Sequence, residues 1–330
     1  IRRELETESG LDGSLAKAIY KLCLNNFIYY VDFEDELSEQ IFLNGGSFAV
    51  TRVIDASSNK VEETGLDSNR KVIRKEATEG KDKLINEISW MVNLPADVKT
   101  HFPRIIDYNI KSDPVYIEME YYPMKTLRRL LLDSEISYKE ASIILRNVFD
   151  FLFAKMYPPK YLVVKKFSID DLYIKRINDR IILAGEKSSA FKRVSSIKNF
   201  VINGKKISNL IDGIKKIKNS KEIQKKLIPP YASLIHGDLH FDNILVNKKD
   251  FADFKLIDPR GKMYNGEDYG DYSYDLGKVW HSLNGLYDFI HEGNYSLSTD
   301  IKENLVVANL AILPSAALAE YSKIFLNLPK

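Results

Sequence analysis

The stretch LIHGDLHFDNILV, residues 234–246, followed by FKLID at residues 254–258, carries the most specific pattern in this chain of 330 residues. The final ILV of the first stretch and the FKLI of the second are rich in β-forming residues, with polar residues between them, so they should pair as a hairpin. An antiparallel hairpin brings its open ends together. We therefore expect Asn243 and Asp258 to lie side by side, with Asp238 on the loop that leads in.

These three oxygen-bearing side chains favour a site for a divalent cation. Carboxylate and amide oxygens suit a hard cation such as Mg²⁺, which keeps several waters and takes few protein ligands besides phosphate oxygens. Phosphoryl transfer needs this cation together with a carboxylate that accepts or orients the proton of the attacking hydroxyl. Asp238 is therefore the candidate base, and Asn243 and Asp258 are the candidate metal ligands. The alternative is a set of polar residues that only cap a hairpin.

The order of these residues also resembles a known family. The pattern His236-x-Asp238-x-x-x-x-Asn243, with His240 inside it, is similar to the catalytic loop of the aminoglycoside phosphotransferase and choline kinase superfamily. Asp258 occupies the place of the metal-binding Asp in the kinase Asp-Phe-Gly motif. The resemblance implies an α+β, two-lobed, protein-kinase-like fold with a small antiparallel β lobe that holds one helix and a larger, mainly helical lobe. It also implies Mg²⁺ as cofactor, ATP or GTP as phosphoryl donor, and a small-molecule hydroxyl as acceptor.

Two neighbouring segments limit and extend this resemblance. The sequence DPRG at residues 258–261 replaces Asp-Phe-Gly, which departs from the protein-kinase motif. Residues 271–278 are similar to the family's helix that supports the catalytic loop. By that resemblance Asp275 accepts hydrogen bonds from loop amides and orients His236 and Asp238, so these three are the candidate catalytic residues. As an alternative, Asp275 only begins a helix.

The first part of the chain has the pattern of a small β lobe. Three β-rich runs predict short strands: residues 48–54, 71–74 and 115–120. Apolar residues at helical spacing predict one helix over residues 82–93, with Glu87 beside the apolar stripe. We expect residues 1–121 to form an N-terminal nucleotide-binding lobe with a leading helical segment. Residues 122–330 then form a C-terminal catalytic and acceptor-binding lobe.

The nucleotide-binding residues expected in the first lobe are of two kinds. The first kind precedes the first strand and can contact phosphates through backbone amides: Gly45, Gly46 and Ser47. The alternative is that these three residues only form a tight turn. The second strand resembles the kinase strand that carries a phosphate-binding lysine. Neighbouring strand residues point to opposite faces, so only one of the pair Lys75 and Arg74 can face the nucleotide. We expect Lys75 in this role, paired with Glu87.

Residues 115–123 resemble the hinge between the lobes of a kinase. In that resemblance the backbone of Glu120 and Tyr121 reads the edge of a purine. A plain edge strand that ends at Pro123 is the alternative.

Charge is distributed unevenly along the chain. The net charge is +2, but residues 160–226 contain 18 Lys and Arg against 6 Asp and Glu, which gives this segment +12 and the remainder −10. We expect this basic insertion to hold an acceptor that is anionic or lies next to a phosphate, such as a phosphorylated sugar. A solvated basic face is the alternative.

Local signals predict the secondary structure around this insertion. Ser137 and Glu140 have the spacing of a capping box, which predicts the start of a helix. Within the insertion, Asn178-Asp179 and Asn203-Gly204 predict turns.

Composition and hydropathy favour a cytoplasmic protein. The single cysteine, Cys23, cannot form an intrachain disulfide, and the first nine residues are too charged for a secretory signal. The longest apolar stretch, residues 305–319, is shorter than the roughly 20 residues of a membrane span and predicts a buried helix pair. We therefore expect no membrane span, and neither do we expect a nucleic-acid partner.

The expected function is phosphorylation of a sugar or sugar derivative in surface or capsular polysaccharide metabolism. Asp-Pro-Arg-Gly and residues 274–278 are similar to a bacterial subgroup linked to that metabolism. The alternatives are an aminoglycoside- or choline-type kinase, a protein kinase, and a non-catalytic nucleotide-binding scaffold. His240 and the lack of an Ala-Pro-Glu element count against a protein kinase. The intact set of Asp238, Asn243 and Asp258 counts against the scaffold.

Overall fold

The computed structural model describes residues 49–55, 71–162, 168–263 and 268–312. The segment Gly45 to Ser47, the proposed leading helical segment and Cys23 lie outside these ranges. Within them, no helix is both long and apolar enough to cross a membrane.

Helices and strands are interspersed along the described residues. The helices are α1 (Lys81–Val92), α2 (Ala96–Lys99), α3 (Leu127–Leu132), α4 (Tyr138–Phe151), α5 (Lys175–Lys187), α6 (Ser189–Ser196), α7 (Leu210–Asn219), α8 (Lys221–Leu227), α9 (Ser273–Leu283) and α10 (Tyr287–His291). The strands are β1 (Ala49–Asp55), β2 (Lys71–Ala77), β3 (Ile105–Asn109), β4 (Val115–Glu120), β5 (Lys125–Thr126), β6 (Tyr161–Leu162), β7 (Asn199–Ile202), β8 (Lys205–Ser208), β9 (Tyr231–Leu234), β10 (Ile244–Val246), β11 (Phe254–Leu256), β12 (Tyr269–Gly270), β13 (Tyr295–Lys302) and β14 (Leu305–Ile312).

The chain divides into two compact units. The first unit comprises the described residues of Gly46–Pro158 and Ser233–Asp275, and the second comprises those of Pro159–Ala232 and Leu276–Lys330. This division follows contacts and not function, so the lobes expected at residues 1–121 and 122–330 stay a prediction.

The first unit contains a four-stranded antiparallel sheet in the order β1-β2-β4-β3 and a three-stranded sheet in the order β11-β10-β5. Helix α1 comes after β2 in the chain. It forms because Leu84, Ile88 and Met91 recur at helical spacing, and all three are buried. In the larger sheet, Lys75 of β2 lies opposite Ile117 of β4. These elements fix where Lys75 of β2 meets Glu87 of α1.

The second unit contains the basic segment and has its own apolar core. A four-stranded sheet runs in the order β13-β14-β7-β8, with β7 and β14 parallel. Phe191, Phe200, Ile214 and Val306 belong to one buried cluster to which the helices α5, α6, α7 and α8 contribute. The segment 160–226 is thus built around a core, with its lysines and arginines outside that cluster.

Several predictions from the sequence are confirmed in their coarser form. The protein mixes α-helices with several small sheets, mostly antiparallel, while the two-lobed kinase-like arrangement stays a prediction. The strand over residues 115–120 and the hairpin of β10 and β11 are present. The helix expected over residues 82–93 is α1, and the turn at Asn203-Gly204 joins β7 to β8, with both residues at positive φ.

Two predictions are wrong. Residues 305–312 form strand β14 and not part of a helix pair, because Val306, Ala308 and Ile312 are buried at even spacing between less buried neighbours. Asn178-Asp179 lies inside α5 and not in a turn, because the apolar residues around it pack against the core at helical spacing: Ile174, Ile177, Ile181 and Ala184. In both places the packing of apolar residues outweighs the local signal.

The capping box that begins α4 gives a test of this local structure. The Ser137 hydroxyl accepts the Glu140 N–H at 3.3 Å, and the Glu140 carboxylate accepts the Ser137 N–H at 2.7 Å. Ser137→Ala should therefore lower the free energy of unfolding by about 1 kcal/mol in urea titrations. Ser142→Ala is the matched control, because the Ser142 hydroxyl donates to the Tyr138 carbonyl within the same helix. Equal losses in the two variants would contradict the capping role.

Candidate active site

The hairpin of β10 and β11 brings the two candidate metal ligands together. Asn243 ends a short 3₁₀ turn, Phe241–Asn243, directly before β10. The Ile257 N–H donates to the Asn243 carbonyl at 3.1 Å, so the backbones of Asn243 and Ile257 are in contact. Asp258, the next residue, therefore lies beside Asn243, as the sequence predicts.

The side chain of Asn243 holds the loop that carries Asp238. Its Nδ2 donates to the Asp238 carbonyl at 2.8 Å. Because a carbonyl oxygen only accepts, the amide must present its nitrogen here, and Oδ1 is the amide atom that can face a cation. The Asp238 side chain is 34% exposed, with Oδ1 buried, so its exposed part can meet a substrate.

His236 is a buried, neutral part of the loop. Its Nδ1 accepts the Asp238 N–H at 3.2 Å, and its Nε2 donates to the Ile257 carbonyl at 2.9 Å. Burial lowers the pKa of His236 to about 4, although the Asp238 charge opposes this shift. The imidazole thus ties the Asp238 loop to the end of β11 and does not carry a charge at neutral pH.

Asp275 binds the loop through both carboxylate oxygens. It accepts the His236 N–H at 2.8 Å, the Gly237 N–H at 2.7 Å and the Tyr157 hydroxyl at 3.2 Å. Complete burial raises the pKa of Asp275 to about 7, and the donated hydrogen bonds oppose that shift. The predicted contacts of Asp275 with loop amides are therefore present, and its effect on catalysis stays a prediction.

A second anchor holds the other end of the loop. Asp242, next to Asn243, accepts the Thr126 hydroxyl at 2.9 Å and pairs with the Arg128 guanidinium at 3.0 Å. Thr126 and Arg128 lie in β5 and at the start of α3, more than a hundred residues earlier in the chain. The loop is thus fixed at both ends by side chains from distant segments.

Lys75 lies between two carboxylates. Its ammonium is 2.6 Å from Glu87 Oε2 on α1 and 3.2 Å from Asp258 Oδ1. Burial disfavours the charge, but Glu87 and Asp258 hold the pKa of Lys75 above its ordinary value. The lysine therefore stays charged and connects the first sheet to the hairpin.

Arg74 lies on the opposite face of β2. Its guanidinium pairs with Glu76 at 2.9 Å and with Glu118 at 2.6 Å, and it stacks over the Tyr116 ring. Of the two candidates, Lys75 is the one that meets Glu87 and Asp258, which agrees with the alternation of side chains along a strand.

Asp258 has a strained backbone. Its φ is +55°, a left-handed conformation that residues with a Cβ adopt at a cost. Such strain persists where the surrounding structure fixes it, and it clusters at functional sites. The Asp258 side chain is 52% exposed, so one part of the carboxylate meets Lys75 while the rest remains accessible.

The site fits a Mg²⁺ ion that is completed by phosphate and water. Among the described residues, no group of three or more His, Cys, Asp and Glu side chains could hold a metal ion alone. Asn243 and Asp258 offer one amide oxygen and one carboxylate side by side. Mg²⁺ is commonly bound by one or two carboxylates together with substrate phosphates, so this small donor set suits a nucleotide-bound cation.

The other expected nucleotide-binding residues are less closely tied to this cluster. The Glu120 N–H donates to the Arg104 carbonyl at 2.9 Å, and the Tyr121 N–H donates to the Lys71 carbonyl at 3.3 Å. Both amides are therefore engaged within the sheet, and reading a purine edge with them stays a prediction. Gly45, Gly46 and Ser47 lie outside the described residues.

Comparisons with known proteins do not establish a relationship. The chain matches no protein-family model, and no curated protein matches it closely enough to count as a relative. The assignment of a function therefore depends on the geometry of the site and on the resemblance of its motifs.

Three supporting residues had no signal in the sequence. Thr126 and Arg128 reach Asp242 of the loop, and Tyr157 reaches Asp275, which binds the loop; each partner is over a hundred residues away in the chain. Only the three-dimensional structure brings them there, because no local spacing links them to the loop.

The buried His236 predicts a pH dependence of stability. The unfolded chain takes up a proton below about pH 6.5 and the folded protein only near pH 4, so stability falls as pH falls through this window. Relative to His236→Gln, the parent should lose about 1.4 kcal/mol of unfolding free energy per pH unit between these values. Urea titrations at several pH values, with a chelator present, measure the difference. A difference independent of pH would show that His236 is not buried in its neutral form.

Proposed function

We propose that this protein is a phosphotransferase that uses Mg²⁺ and ATP or GTP to phosphorylate an alcohol group of a small molecule. The observation that carries the proposal is the position of the Lys75 ammonium between Glu87 and Asp258, next to a loop that presents Asp238 and Asn243. A fixed cation, a cation-binding oxygen pair and an accessible carboxylate are the groups that phosphoryl transfer requires.

Each of these groups has a separate chemical role in the proposal. Lys75 is the group that contacts phosphate oxygens, and Glu87 holds its ammonium in place. Asn243 and Asp258 hold Mg²⁺, which neutralises charge on the phosphate oxygens when it is bound. Asp238 orients the acceptor hydroxyl and accepts its proton. His236 and Asp275 keep the Asp238 loop in one conformation.

The proposed acceptor is a sugar or sugar derivative in surface or capsular polysaccharide metabolism, and an anionic form of it is preferred. The support for an anionic acceptor is the +12 charge of residues 160–226. Some of these cations are paired, such as Lys218 with Asp170 at 3.1 Å and Lys226 with Glu222 at 2.8 Å. The segment nevertheless contains 18 basic residues against 6 acidic ones, an excess of twelve.

The role of Asp238 can be tested by removing its ability to accept a proton. Asp238→Asn keeps the shape of the side chain and leaves Asn243 and Asp258 in place. Turnover should fall about 10²- to 10⁴-fold, while the nucleotide and Mg²⁺ still bind. The measurement is nucleotide consumption with a panel of hydroxyl acceptors, beside calorimetry with nucleotide and Mg²⁺.

Asp250→Asn is the matched control, because Asp250 makes its contacts in the turn of the same hairpin. It should leave turnover unchanged. Turnover of Asp238→Asn within threefold of the parent refutes Asp238 as the base. If the parent binds nucleotide but phosphorylates no acceptor, the non-catalytic scaffold becomes the better explanation.

The two metal ligands should differ in importance. Asp258→Ala should weaken Mg²⁺-dependent nucleotide binding far more than Asn243→Ala, because a carboxylate offers the cation a full charge and an amide does not. Asp258→Asn separates charge from backbone strain, since Asn tolerates the left-handed conformation. It should bind as poorly as Asp258→Ala. Equal losses in the Asp258→Ala and Asn243→Ala variants, measured by calorimetry, would show that the metal site is assigned wrongly.

A further inference from the structure

Gly261 lies directly against the backbone of helix α1. Its φ is +75°, and a Cβ added there would be 2.5 Å from the Asn86 carbonyl carbon and oxygen and 2.7 Å from the Glu87 nitrogen. These are main-chain atoms inside a helix, so no side-chain rotation can make room. The loop that follows Asp258 can therefore approach α1 this closely only because residue 261 has no side chain.

This contact closes a ring with the charged groups of the site. Gly261 follows Asp258 by three residues, and the helix backbone that it touches includes the nitrogen of Glu87. Glu87 holds Lys75 at 2.6 Å, and Lys75 contacts Asp258 at 3.2 Å. The distance between α1 and the loop thus determines whether Lys75 can reach both carboxylates together.

We propose that Gly261 is a positioning residue: it sets the spacing of α1 from the Asp258 loop, and so aligns Lys75, Glu87 and Asp258. The proposal deepens the phosphotransferase function, because these residues are the ones proposed to bind phosphate and metal. A carbon atom needs about 3.5 Å from its non-bonded neighbours, so a side chain at residue 261 would move α1 and the loop apart by about 1 Å. That movement is enough to break a hydrogen-bonded ion pair.

Two other glycines separate this packing effect from backbone preference. Gly204 and Gly293 have φ of +74° and +73°, nearly the value at Gly261, but a Cβ at either would have no atom of the described residues within 4 Å. Substitution by alanine costs the same left-handed strain at all three positions. Only at Gly261 does it also displace a helix.

The experiment measures the energetic coupling between Lys75 and Glu87 in the protein without nucleotide or metal. Hydrogen exchange of the α1 amides is followed in the parent and in Lys75→Met, Glu87→Gln and the double variant. This double-mutant cycle gives the coupling between the two residues as a ratio of exchange rates. We expect coupling of about tenfold in the parent, and nearly none in the same cycle built on Gly261→Ala. The cycles on Gly204→Ala and Gly293→Ala should match the parent.

Gly261→Asn keeps the test valid if Gly261→Ala does not fold. Asparagine tolerates positive φ better than alanine, but it carries the same Cβ. It should therefore fold more readily and still abolish the coupling. Coupling that persists in a folded Gly261 variant overturns the proposal.

Nucleotide affinity separates this inference from the proposed function. If both hold, Gly261→Ala and Glu87→Gln weaken Mg²⁺–nucleotide binding by similar factors. If Gly261→Ala loses the coupling while the parent protein binds no nucleotide, the result supports the packing role and counts against the phosphotransferase. Loss of coupling without any change in nucleotide affinity would overturn the role of Gly261 in aligning the phosphate-binding groups.

Discussion

The arrangement of the first unit depends on one buried cation. The Lys75 ammonium is stable there only because two carboxylates share it, since an unpaired charge in a buried position is costly. Glu87 comes from α1 and Asp258 from the end of the hairpin, so this pairing forces three separate segments of the chain to meet. Removing one carboxylate leaves the positive charge of the lysine with one partner in place of two, which weakens the contact between the sheet and the hairpin.

A different interaction holds the loop around Asp238: backbone amides of the loop donate hydrogen bonds to a buried carboxylate. Asp275 fixes two consecutive amides, while Asn243 binds a carbonyl of the same loop. These bonds hold the main chain around Asp238, while the Asp238 side chain stays partly exposed. A rigid main chain with an accessible side chain is the form of preorganisation that proton transfer needs, because no reorientation is required at the moment of reaction.

Sequence reasoning succeeded where the signal is local. The hairpin, helix α1 and the capping box follow from residue spacing within a few turns or strands. It failed at residues 305–312 and at Asn178-Asp179, because apolar packing within the second unit decides those elements. Within the site, the pairing of Lys75 with Glu87 was predictable from strand alternation and the motif. Tyr157 and Gly261 were not, since their partners are set by tertiary contacts alone.

The left-handed backbone of Asp258 sets folding stability against the proposed activity. A glycine at this position would adopt the same conformation without the steric penalty of a Cβ. A screen for heat-tolerant variants would therefore tend to enrich changes at this residue, at the expense of the proposed metal ligand. Lineages released from selection for catalysis would meet the same bias. Without selection for activity, substitutions would accumulate most easily at Asp258, the residue on which the proposed chemistry depends, and the protein would lose its proposed nucleotide binding.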